Sequence, residues 1–155
     1  GRTMIRNMTE TDHDLFLEMS REFYQSPAVS HNMPTSVYER TFREALREGE
    51  RLRGYILEAE GQPVGYALCV HSWATEVGGA VCWLEELYVR APWRSLGLGQ
   101  EFFDFLHRTR PGDMLRFRLE VMPQNTRARA LYGREGFTEI EYLQLHKDFL
   151  PADEQ

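Results

Sequence analysis

Arg94-Ser95-Leu96-Gly97-Leu98-Gly99 stands between an apolar run, Ala80 to Val89, and a helical stretch that opens near Gln100. A strand, a glycine-bearing turn and a helix, in that order, make a phosphate-binding turn. Glycine adopts backbone angles closed to other residues and lets a ligand come close to the main chain, so Gly97 and Gly99 allow successive N–H groups to point into one concavity. The helix start adds unpaired N–H donors and the positive end of its dipole. Arg94 adds a fixed positive charge for a pyrophosphate. Taken alone, the segment also reads as a glycine-rich connector with a solvated arginine, so its surroundings have to decide.

Those surroundings predict a mixed α/β chain. Thr3 to Met8 reads as a short strand, and Thr9 to Asp12 as a capping box for a helix whose Leu15, Met19 and Phe23 recur at four-residue spacing. Ser36 is the expected cap of a second helix with Tyr38, Phe42, Ala45 and Leu46 as its apolar stripe, stopped by Gly49. Leu52 to Ala59 and Pro63 to Trp73 form a hairpin, and Ala80 to Arg90 returns as a third strand beside it. A helix from Leu98 to Arg110 buries Leu98, Phe102, Phe105 and Leu106, and Met114 to Val121 follows as a strand. Asn125 caps a helix that turns Ala128, Leu131 and Tyr132 inward, Gly136 ends it, and Phe137 to Phe149 is a last extended region. Residues 1–150 are expected to form one domain and 151–155 a tail.

Composition excludes several classes. In 155 residues, 42% are apolar, which suffices for a core, and the net charge of −6 argues against nucleic acid as principal partner. No apolar run reaches the roughly 18 residues of a membrane span. Cys69 and Cys82 are expected as reduced thiols in a cytoplasmic protein. A dinucleotide-binding turn fails because the residues after Gly99 lack the third glycine, and a P-loop fails for want of Gly-Lys-Ser/Thr. The five histidines are scattered and form no metal-ligand pattern, so no metal is expected.

Leu84-Glu85-Glu86-Leu87-Tyr88-Val89, Pro92, Arg94-x-x-Gly97-x-Gly99, then Asn125-x-x-Ala128-x-x-Leu131-Tyr132 and Gly136-Phe137 resemble the GNAT superfamily of acetyl-CoA-dependent N-acetyltransferases. Both hallmark motifs occur in order, with one helix and one strand between them. The resemblance implies a central, mostly antiparallel sheet of six or seven strands flanked by about four helices. It implies acetyl-CoA as cosubstrate, with Arg94, Leu96, Gly97, Leu98, Gly99 and Gln100 around the pyrophosphate, mostly through main-chain N–H groups. Leu87, Tyr88 and Val89 would carry the pantetheine arm as a pseudo-strand, where this strand splays from the next. Asn125 would contact that arm or an ordered water, although a helix cap selects asparagine without any ligand.

Acetyl transfer to an amine asks for two proton movements. The resemblance gives Tyr132 the role of general acid toward the leaving thiolate, against a core aromatic as the plain alternative. It gives Glu85 the role of base. Strand alternation lets only one of Glu85 and Glu86 face the substrate, and a bulge would change which one. Phe23, Tyr24, His31, Trp83 and Glu86 are candidate substrate residues, with Glu18 and Glu22 as further acidic groups near an ammonium. The implied activity is transfer to a primary amine of a small molecule, polyamine or amino-acid-like. The alternatives are a non-catalytic acyl-CoA-binding regulatory module or acetylation of a protein terminus or lysine. The resemblance also admits a homodimer.

Overall fold

The computed structural model describes residues 2–26, 32–49 and 51–155. Strands β1 (Thr3–Asn7), β2 (Leu52–Ala59), β3 (Gln62–Ala74), β4 (Gly79–Val89) and β5 (Met114–Leu119) form one sheet in that spatial order. The helices are α1 (His13–Tyr24), α2 (Thr35–Ala45), α3 (Leu98–Thr109) and α4 (Thr126–Arg134). β2, β3 and β4 pair antiparallel through short turns, and β1 pairs antiparallel with β2 after the chain has passed through α1 and α2. A two-residue turn at Glu60 and Gly61, both at positive φ, links β2 to β3. β4 and β5 pair parallel because α3 carries the chain back across the sheet.

Each face of the sheet has its own core. Tyr55, Leu57, Ala67, Cys69, Cys82 and Leu84 pack under α3, against Leu98, Phe102, Phe103 and Leu106. Ile56, Tyr66, Leu68 and Tyr88 pack on the other side against Phe16, Met19 and Phe42 of α1 and α2. Cys69 and Cys82 are both buried free thiols in the α3 core.

Leu15, Met19 and Phe23 face the core on α1 as their spacing predicts, and Phe16, only 1% exposed, joins them. Two expectations need correction. Ser36 lies inside α2, whose cap position is Pro34, and its hydroxyl donates to Glu154 Oε2 at 2.5 Å. A proline in that place presets the extended entry and needs no donor. The sheet has five strands, because Phe137 to Phe149 joins no ladder. Its alternating residues carry strand propensity but not a partner, and Leu143, Leu145 and Phe149 stand in solvent. This segment is tied at Tyr142, whose hydroxyl donates to Glu76 Oε2 at 3.1 Å, and beyond it where Arg40 pairs with Glu154 at 2.5 Å.

The entry to α1 is held by charge. Arg6 donates both terminal nitrogens to Asp12, each at 2.8 Å, and the Thr9 N–H donates to Asp12 Oδ2 at 2.8 Å. The Arg6 guanidinium chiefly holds the buried Asp12 carboxyl below the usual range. A lowered folded pKa means stability present above the unfolded value and lost as pH falls toward the folded one. Asp12→Asn is expected to cost about 1.5–3 kcal/mol at neutral pH. Denaturant melts of both proteins should show the difference shrinking below an unfolded-state pKa of about 3.9. A difference that persists undiminished in acid would reject this account.

Candidate active site

β4 changes character at Glu85. Leu68 pairs with Glu86 and Cys69 with Leu84, so Glu85 is an extra residue on β4, a β-bulge. Strict alternation would send Glu86 after Cys82 and Leu84 into the α3 core. The extra residue instead turns Glu86 and Tyr88 toward α1 and leaves Leu87 and Val89 on the α3 side. The ladder with β5 stops at the same place, at Leu84 opposite Leu119. From Glu85 to Val89, β4 still pairs with β3 on its inner edge, while its outer edge faces no strand among the described residues. Such an edge offers main-chain N–H and C=O groups to an extended amide-bearing ligand.

Directly beyond that edge lies the glycine turn. Ser95 has φ 64° and Gly97 φ 84°, two left-handed residues bracketing Leu96. Gly97 caps α3, and the first helical bond runs from the Glu101 N–H to the Gly97 carbonyl at 3.0 Å. The N–H groups of Leu98, Gly99 and Gln100 therefore have no intrahelical acceptor and point out of the helix start. Leu98 anchors the turn in the core at 4% exposure, whereas Leu96 is 65% exposed. A Cβ on Gly99 would sit 2.8 Å from Leu131 Cδ2, so glycine lets α4 approach the first turn of α3. Gln100 spends its side-chain amide on Asp104 at 3.2 Å. Arg94 is exposed, and its Nε donates to the Val89 carbonyl at 2.8 Å with the guanidinium 5.6 Å from the Tyr88 ring centre. Its charge is thus fixed at the end of β4, beside the turn.

On α4, the Asn125 side chain accepts from the Ala128 N–H at 3.2 Å, the capping role its position suggested. Tyr132 stands half-buried with Phe103 and Phe137 at 5.9 and 6.0 Å between ring centres. Its hydroxyl has no hydrogen-bond partner among the described residues, and burial raises its pKa, so the group stays protonated.

The acceptor side of β4 is carboxylate-rich. Glu85 is exposed at the bulge, yet crowding by the strands, and then the charge of Glu120, hold its carboxyl above the usual range. Glu86 is buried and accepts from Tyr24 and, at 2.7 Å, from Tyr66. Desolvation raises its pKa more than those two hydrogen bonds lower it. Phe23 sits edge-on to Tyr24 at 5.0 Å within the α1 core, and Trp83 carries the Arg118 guanidinium on its face at 4.4 Å. His31 lies outside the described residues.

Glu18 and Glu22 do not wait for an ammonium. Arg90 pairs with both, at 2.8 and 3.4 Å, and the Tyr88 hydroxyl donates to Glu22 at 2.7 Å. Sequence reasoning passed over Tyr66 and Arg118. Tyr66 had no local signal, being brought to Glu86 by the β3–β4 register. Arg118 had one, since alternation along Met114 to Leu119 puts Arg116 and Arg118 together on the face away from α3.

Comparison with known proteins agrees with this geometry. The sequence profile described as Acetyltransferase (GNAT) family matches residues 14–137. No curated protein gives a significant sequence match. A possible acetyltransferase from Clostridium difficile 630 superposes with TM-score 0.82 at 16% identity, covering 97% of this chain and 100% of that one. AAC(6')-Iy, solved with the bisubstrate analogue CoA-S-monomethyl-acetylneamine, gives 0.76 at 19% identity over 97% and 100%. A predicted acetyltransferase from Clostridium acetobutylicum, solved with acetyl-CoA, gives 0.75 at 18% identity over 94% and 96%.

Proposed function

The chain belongs to the GNAT acetyltransferase family, and on that premise we propose that it transfers the acetyl group of acetyl-CoA to a primary amine of a small molecule, polyamine or amino-acid-like. The reading is carried by one juxtaposition: the unpaired outer edge of β4 from Glu85 to Val89 leads straight into the left-handed turn at Ser95 to Gly97. A pyrophosphate suits the N–H groups of Leu98, Gly99 and Gln100, with Arg94 beside it. Leu87, Tyr88 and Val89 would pair with the amides of the pantetheine arm, and Asn125 would remain near it through its free side-chain amide.

On this reading the thioester lies near the bulge. Glu85 takes a proton from the incoming ammonium, directly or through water, and the neutral nitrogen forms a bond to the acetyl carbon as the carbon–sulfur bond breaks. Tyr132 gives its proton to the departing sulfur, and the second proton that the nitrogen sheds as the amide forms passes through water to the Tyr132 oxygen and restores it. Glu86, held by Tyr24 and Tyr66, fixes the floor on which Phe23 and Trp83 shape the acceptor side.

The test is free-thiol release from acetyl-CoA across polyamines, amino acids, aminoglycosides, arylamines and N-terminal peptides, with CoA binding followed by calorimetry. Turnover on small amines is expected. Tight CoA binding without turnover on any amine would replace this reading with an acyl-CoA sensor, and turnover on peptides alone would move it to protein acetylation.

A further inference from the structure

Beside the bulge, on the sheet face away from α3, lies a cavity of about 310 Å³ walled by Trp73, Glu76, Trp83, Arg116, Arg118 and Tyr142. The parallel register builds it: Val81 pairs with Arg116 and Trp83 with Arg118, so both arginines rise next to the β4 residues that precede Glu85. Arg116 is neutralised by Glu76 at 2.9 Å, and Tyr142 donates to the other oxygen of the same carboxylate. Arg118 has no carboxylate partner among the described residues. Its guanidinium stands over the Trp83 ring, and its Nε is buried without a protein acceptor. That leaves its terminal N–H groups as the donors for a ligand. A carboxylate taking two of them end-on is the group whose geometry fits that fork.

We propose that the acceptor amine carries a carboxylate, and that Arg118, held in place by Trp83, binds it. The inference rests on the acetyl-transfer reading and chooses within it. A polyamine would bring a second cation to the cavity's unpaired arginine, while Glu18 and Glu22, which share Arg90, stand at the other end of β4 from the cavity. One unpaired guanidinium answers one monoanion. Trp83 precedes Glu85 by two residues, about 7 Å along a strand, so nitrogen and carboxylate should be several bonds apart.

The experiment compares kcat/KM in the thiol-release assay for matched amines: 4-aminobutyrate and 6-aminohexanoate, their primary amides, and the diamines of the same length. The acids should exceed the amides and diamines by about 10- to 100-fold, the range for one charge-assisted contact. In Arg118→Gln, kcat/KM for the acids should fall by about the same factor, chiefly through KM, while the amides are unchanged. Equal rates for acid and amide in the wild-type protein overturn the inference and leave acetyl transfer standing; that comparison needs no variant to fold. If no amine turns over, calorimetry with 6-aminohexanoate in the presence of CoA decides. Binding lost in Arg118→Gln keeps the carboxylate site while acetyl transfer fails, and no binding overturns both.

Discussion

Tyr132→Phe should lower kcat for thiol release about 10²- to 10⁴-fold, the usual worth of one positioned proton donor, and leave the affinity for CoA unchanged. The expectation comes from how little else the hydroxyl does. The ring is held by Phe103 and Phe137, contacts that phenylalanine reproduces. Among the described residues the oxygen has no partner whose loss would disturb the fold, and burial keeps its proton on. Removing one oxygen therefore removes a donor and no packing. Kinetics and calorimetry on the same preparation separate the roles: a fall in kcat with intact CoA binding marks an interaction made in the transition state. If CoA affinity falls instead and kcat holds, Tyr132 is a core aromatic of α4.

The legible and illegible parts of this chain differ in range. Gly97 and Gly99 announced the turn because left-handed backbone and the close approach of α4 are demands met within a few residues, and those demands are written locally. Asn125 announced its cap for the same reason. A bulge at Glu85 was open as an alternative, and the residues alone could not decide it, because the extra residue exists only relative to β3; Leu84-Glu85-Glu86-Leu87 reads the same with or without it. The fate of Glu18 and Glu22 depended on Arg90, which β4 delivers from far along the chain. Ser36 looked like a cap until its partner proved to be Glu154 at the opposite end of the sequence. Phe137 to Phe149 showed strand composition, yet a ladder needs an edge placed to receive it. Local chemistry and the pairing of strands joined by short turns were readable; pairing between distant segments was not.

On the proposed mechanism the bulge also selects which carboxylate works as base, and the two variants have different expected signatures. Glu85→Gln should reduce kcat/KM about 10²- to 10⁴-fold and erase the acidic limb of its pH profile. A base must be ionised, so activity falls as pH drops through the pKa of Glu85. Lost solvation and Glu120 raise that pKa, which puts the limb above the ordinary glutamate value of about 4.3. Glutamine cannot titrate, and what remains should simply follow the fraction of amine already neutral in solution, rising with pH. Glu86→Gln should keep the limb. Its cost is structural, because an amide in place of a buried carboxylate presents an N–H₂ to one of the hydroxyls of Tyr24 and Tyr66, at about 1–3 kcal/mol of stability. Losing Glu85 as a neighbour removes one charge that raises the Glu86 pKa, so the assignments cannot be exchanged by a shift alone. A profile that keeps its acidic limb in Glu85→Gln and loses it in Glu86→Gln would give the base to the buried carboxylate, reached through the hydroxyl of Tyr24.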